Sequence, residues 1–182
     1  SSYCRRQRRY PGRSRSWRAA GMAPALRGWN LPCRRVLAVG SDMAVGKMSA
    51  CLELQAEARR RGCDARFVGT GQAGILIAGT GVALDAVRVD YAAGAVEAAV
   101  VAAAAGAGPQ TLVLVEGQGS LCHPGSTATL PLLRGSQPTD LLLVHRAGQT
   151  HVRTRPGAAA VPIVLLVPSG PRPVSCSAVF TR

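Results

Sequence analysis

Residues 40–49 read GSDMAVGKMS and decide the fold. They follow the apolar run Val36-Leu37-Ala38-Val39, which reads as a strand buried on both faces. They lead into residues 48–61, where Leu52, Leu54, Ala56 and Ala58 alternate with polar side chains before three arginines and Gly62. Basic residues in a last turn and a glycine just beyond it mark the end of a helix. Strand, glycine-containing loop and helix in that order make a phosphate cradle: glycines let backbone N–H groups point inward, the helix presents its N-terminus, and a lysine reaches the phosphate oxygens. Gly40, Gly46 and Lys47 stand where this requires, and Ser41, Asp42, Ala44, Val45, Met48 and Ser49 complete the expected cofactor-binding set. The GxxxxGK[ST] form would place glycine at position 41 and a hydroxyl at 48; Ser41 and Met48 stand there instead.

The lysine is singular. Of 22 basic residues, Lys47 alone is not arginine, so a chain that uses arginine almost everywhere keeps a compact ammonium behind Gly46. The formal charge of +13 suggests a nucleic-acid or anionic-membrane partner until the charges are placed. Residues 1–35 carry 10 arginines and no acid, residues 147–182 carry 4 and none, and residues 36–146 hold 8 basic against 9 acidic residues. The body is thus near neutral, and nucleic acid is expected only through non-specific attraction to the basic tail, whose Tyr3, Tyr10, Trp17 and Trp29 are too scattered for a stacking platform. The six cysteines form no CxxC pair and no metal-spaced Cys/His cluster, which fits reduced thiols and a cytoplasmic protein. Glu97 and the following glycines break the alanine-rich stretch, so no membrane span is expected.

Beyond the loop the chain alternates strand and helix. Residues 65–68 read as a second strand, 69–81 as a glycine-rich loop with at most a short helical turn, and 87–105 as a helix despite Gly94. Residues 111–115 form a third strand running into Glu116-Gly117-Gln118-Gly119, 126–134 a short helix interrupted by Pro131, and 140–145 and 162–167 two more strands. The class is α/β, a P-loop NTPase-like three-layer fold with a mostly parallel sheet. Its limits are 35–168, between a disordered Arg/Ser-rich tail at 1–34 and an irregular tail at 169–182. The two tails share a composition that the middle lacks, which points to an incomplete or frameshifted product; the leader resembles a transit peptide without its amphipathic face.

The variant G-x-D-x-x-V-G-K resembles the loop of dethiobiotin synthetase and its relatives. That resemblance implies a Mg²⁺ site made by the loop acid and a later strand-end glutamate, here Asp42 and Glu116; a carboxylate simply facing solvent is the competing reading for Glu116. Taken together, GSDMAVGKMS, ARFVGTGQAGILIAG, LVEGQGSLCHP and GSQPTDLLLVH resemble, over roughly residues 34–151, the C-terminal P-loop domain of the D-glutamate N-acetyltransferase family. The resemblance implies acetyl-CoA as cofactor, a small amino-acid substrate such as D-glutamate, and a further Rossmann-like domain upstream. Substrate is then expected near Gln72 and Gln118, with Glu116 and His123 as catalytic groups and His123 as base toward the amine; a loop histidine held by a structural hydrogen bond is the competing reading for His123. Cys122 beside it is an alternative acyl-carrying nucleophile, and His145 reads as a satisfied histidine at the core edge. Because Met48 lacks the hydroxyl that binds Mg²⁺ and only Ser49 could replace it, CoA fits the loop better than ATP with Mg²⁺. A ligase or kinase using ATP and Mg²⁺, and an inactive fragment, stay open as alternatives, as does a homo-oligomer.

Overall fold

The computed structural model describes residues 27–147, 149, 151–152 and 175–181. Among these residues the strands and α-helices are, in order, β1 (Arg34–Gly40), α1 (Lys47–Arg60), β2 (Ala65–Val68), α2 (Gln72–Ala78), α3 (Val89–Ala103), β3 (Leu112–Val115), α4 (Thr129–Ser136), β4 (Asp140–Arg146) and β5 (Ser175–Thr181). The strands form one sheet of order β2-β3-β1-β4-β5, and every pairing is parallel. The α/β class with a phosphate loop after its central strand is as the sequence reads.

Successive side chains of a strand point to opposite faces, and here both faces are covered. Val36 and Ala38 of β1 pack with Phe67, Leu114, Leu142 and Cys51 on the α1 side. Leu37 and Val39 pack with Val96, Val100, Val113 and Leu132 on the α3 and α4 side. This is why the strands appear in the sequence as continuous apolar runs rather than alternating ones. The chain leaves β1 over one face through α1, and β3 over the other through α4. Between these two strands lies a topological switch point, where open α/β sheets bind ligands outside the carboxyl ends of their strands.

Four local expectations change. The loop expected at 69–81 contains α2, a helix of seven residues with Gly71 before it and Gly79 after it. Gly79, at φ 72°, donates its N–H to the Ile75 carbonyl, so the glycines act as ends of a helix rather than as breaks within it. Pro131 does not interrupt α4, because it is the third residue of a helix whose first four N–H groups need no partner inside the helix. Within the expected disordered tail, Arg27–Asn30 forms a 3-10 turn whose Arg27 N–H donates to Glu97 Oε1 at 2.7 Å. Glu97 is 0% exposed inside α3, so the acid that breaks the alanine run anchors the lead-in to the sheet. Finally, the expected irregular tail holds β5, in register with β4 from Asp140↔Ser175 to Arg146↔Thr181. Ser175-Cys176-Ser177 is too polar to read as a strand, yet the open edge of β4 offers it a ladder of unpaired backbone groups. The strand expected at 162–167 lies outside the described residues, as do residues 1–26. Among the described residues no helix is long and apolar enough to cross a membrane.

Candidate phosphate-binding site

The loop leaves β1 at Gly40 and re-enters regular structure at Lys47, the first residue of α1. Gly46 stands before the helix at φ 96°, a conformation that side chains disfavour. Ala44 adopts φ 53° without being glycine, and the Arg146 guanidinium donates to its carbonyl at 3.1 Å. At Gly40 a Cβ would lie 2.9 Å from Lys47 Nζ and 2.9 Å from the Asp42 carbonyl oxygen, so the lysine can lie along the strand end only because position 40 has no side chain.

Lys47 is 7% exposed and donates to the Asp42 carbonyl at 3.1 Å. Burial lowers its ammonium from the ordinary lysine value, with Asp42 and Glu116 pulling it partly back. A buried cation flanked by backbone amides is equipped to take up an anion. A cleft of about 420 Å³ opens over it, lined by Ala44, Gly46, Lys47, Met48 and Ser49 of the expected set and by Met43, which sequence reading passed over. The other expected residues hold the loop from behind. Val45 is buried in the α1-side core. Ser41 Oγ lies 2.7 Å from His145 Nδ1, and Asp42 is buried with Oδ1 accepting from the Met43 N–H and Oδ2 from Gln149 Nε2, both at 2.7 Å. His145 is thus a loop-bracing residue and not merely a satisfied core-edge histidine.

Glu116 is 4% exposed, which removes the reading of a carboxylate facing solvent. Its Oε2 accepts from the Thr70 N–H at 2.8 Å and the Gly71 N–H at 3.1 Å, and Oε1 from Gln118 Nε2 at 3.3 Å. The glutamate therefore ties the end of β3 to the turn leading into α2, and a Cβ on Gly74 would collide with its carboxylate. Glu116, Gln118 and Gly119 also line a second cleft, of about 610 Å³, that contains Gln72 and Asp85. Gln72 donates to Asp85 at 3.0 Å. The structure thus brings together Lys47, Glu116, Gln118 and Gln72 around two adjoining clefts.

His123 is not among the residues lining either cleft. Its Nδ1 accepts from the Gly125 N–H at 3.0 Å and its own N–H donates to Ser120 Oγ at 3.0 Å, which fixes it within its turn. The Cys122 thiol is raised by burial and by the Asp42 charge, which disfavours the thiolate a nucleophile needs. Cys51, under the loop, is pushed up to about 12 by burial and by Glu116. Among the described residues no group of three or more His, Cys, Asp or Glu side chains is placed to hold a metal ion.

A parallel sheet with a lysine-bearing phosphate loop after its central strand defines a P-loop α/β domain. The chain belongs to the family described as "Domain of unknown function (DUF1611_C) P-loop domain", whose pattern matches residues 14–167. It is 41% identical over 128 residues to a D-glutamate N-acetyltransferase of Pseudoalteromonas sp, covering 70% of this chain and 37% of that protein. It is 44% identical over 128 residues to a D-glutamate N-acetyltransferase of Tritonibacter scottomollicae, covering 68% of this chain and 36% of that protein. A crystal structure of a DUF1611 family protein from Anabaena variabilis superposes with a TM-score of 0.72 at 56% identity, covering 77% of this chain and 40% of that one. The chain therefore spans little more than a third of the length of the curated relatives it matches.

Proposed function

We propose that this chain is the P-loop portion of an N-acetyltransferase acting on D-glutamate or a similar D-amino acid, with residues 40–49 holding the phosphates of acetyl-CoA. The observation that carries the reading is the pair of clefts joined at Glu116, Gln118 and Gly119. One presents the Lys47 ammonium, which suits the anionic end of the cofactor; the other presents Asp85 and Glu116, which suit an ammonium group. In acetyl transfer the amine forms a C–N bond to the thioester carbonyl as the C–S bond breaks, the amine loses a proton and the leaving sulfur gains one. Glu116 stands on the shared wall and is the better candidate to take the amine's proton, with Gln72 and Gln118 orienting the substrate. His123 would require its turn to move before it could serve.

The donor set favours CoA over ATP with Mg²⁺. A Mg²⁺ ion held by Asp42 and Glu116 would have to compete with the N–H groups that already sit on Asp42 Oδ1, Asp42 Oδ2 and Glu116 Oε2. A CoA pyrophosphate needs only backbone amides and Lys47. Calorimetry with CoA and with ATP, each with and without Mg²⁺, tests this, together with thiol release from acetyl-CoA in the presence of D-glutamate. CoA is expected to bind tighter than ATP, and thiol release is expected to be indifferent to EDTA. Tighter, Mg²⁺-dependent ATP binding would remove the CoA reading in favour of a ligase or kinase.

A further inference from the structure

The exit of β4 grips the phosphate loop at three residues. The Ser41 N–H donates to the Val144 carbonyl at 3.2 Å, Ser41 Oγ meets His145 Nδ1, Arg146 donates to the Ala44 carbonyl, and Gln149 Nε2 donates to Asp42 Oδ2. The Gln149 amide cannot turn over. Its Nε2 also donates to the His151 carbonyl at 2.9 Å, so a flip would set oxygen against a carboxylate and a carbonyl. Among the described residues, the arrangement leaves Gln149 Oε1 buried with no hydrogen-bond partner, an unfavourable state for an acceptor. A glutamine whose amide N–H groups are committed to Asp42 and to the His151 carbonyl is placed to hold Asp42.

Asp42 in turn sets the loop, because its Oδ1 takes the Met43 N–H and its carbonyl takes Lys47 Nζ. From this geometry we infer that Gln149, assisted by Arg146, is a positioning residue for phosphate binding: it fixes Asp42, and through Asp42 the direction of the Met43 amide and the seat of the Lys47 ammonium. The inference rests on the reading of residues 40–49 as a phosphate cradle. Glutamate at 149 could not replace the amide, since it would face Asp42 with a second negative charge.

The test uses the full chain, with CoA and inorganic pyrophosphate as separate probes in calorimetry and thermal unfolding as the control. Gln149→Leu, similar in size but without the amide, is expected to weaken both probes about tenfold, the effect of one lost polar contact, with the chain still fully folded at the assay temperature. Arg146→Ala, from a half-buried side chain, is expected to act in the same direction by releasing the Ala44 carbonyl. Unchanged affinity in both variants would overturn the inference. So would loss of affinity only in step with loss of melting temperature, which would make Gln149 a structural residue. Weakening of CoA alone would place Gln149 against the rest of the cofactor and not behind the loop, also overturning it. A wild-type chain that binds neither probe would defeat the cradle reading itself, a result separable from the others.

Discussion

Lys47→Ala is expected to weaken CoA binding by about 10- to 100-fold while the fold survives. A hydrogen bond to a charged group contributes roughly 1.5–3 kcal/mol, and about 1.4 kcal/mol is a factor of ten. The protein tolerates the loss because the buried ammonium is itself unfavourable there: burial lowers its proton affinity, and its hydrogen bond is to the Asp42 carbonyl rather than a carboxylate. Lys47→Arg should not rescue, since Gly40 and Gly117 leave room for a narrow stem and the planar fork would meet the strand ends. The pH dependence has a definite sign. The free lysine loses its proton below the usual 10.5, and a bound phosphate restores it, so affinity should fall as pH rises through the lowered value. Calorimetry across that range measures both effects; wild-type affinity in Lys47→Ala would end the assignment of the loop.

Gly117→Ala is expected to be the most damaging single-methyl change, destabilising by about 3 kcal/mol or more. Its Cβ would collide with the Ala38 carbonyl oxygen, on the central strand, and lie 2.9 Å from Lys47 Cδ. The first neighbour is backbone inside the sheet and cannot step aside, and moving the second displaces the phosphate-binding group. Gly108→Ala is the control, because nothing lies within 4 Å of its Cβ and its φ is not in the left-handed range. Denaturant unfolding should show Gly117→Ala far below wild type and Gly108→Ala close to it; similar midpoints for the two would show that the β1–β3 contact is softer than described.

The legible parts of this protein were those with a local signal. β1, the loop and α1 follow one another, so an apolar run, a glycine and a lysine sufficed to place them. The glycines around α2 misled because a glycine that ends a helix and one that breaks it look alike in sequence; only the hydrogen bond from Gly79 to Ile75 separates them. His123 stands close in sequence to Glu116, but nearness along the chain does not turn a ring toward a cleft. The roles of His145 and Gln149 could not be seen at all, since about a hundred residues separate each from the loop it braces.

The sequence by itself determined the α/β class, the central strand and the cradle, because these depend on residue order over a few turns of chain. Tertiary structure decided which candidates share a wall and which stand behind it. It set Glu116 between two clefts, tied both Asp42 oxygens to N–H donors, and brought the exit of β4 against the loop. The physical reason is that a parallel sheet gathers the carboxyl ends of strands distant in sequence on one edge, and the chemistry of that edge depends on which strands are neighbours.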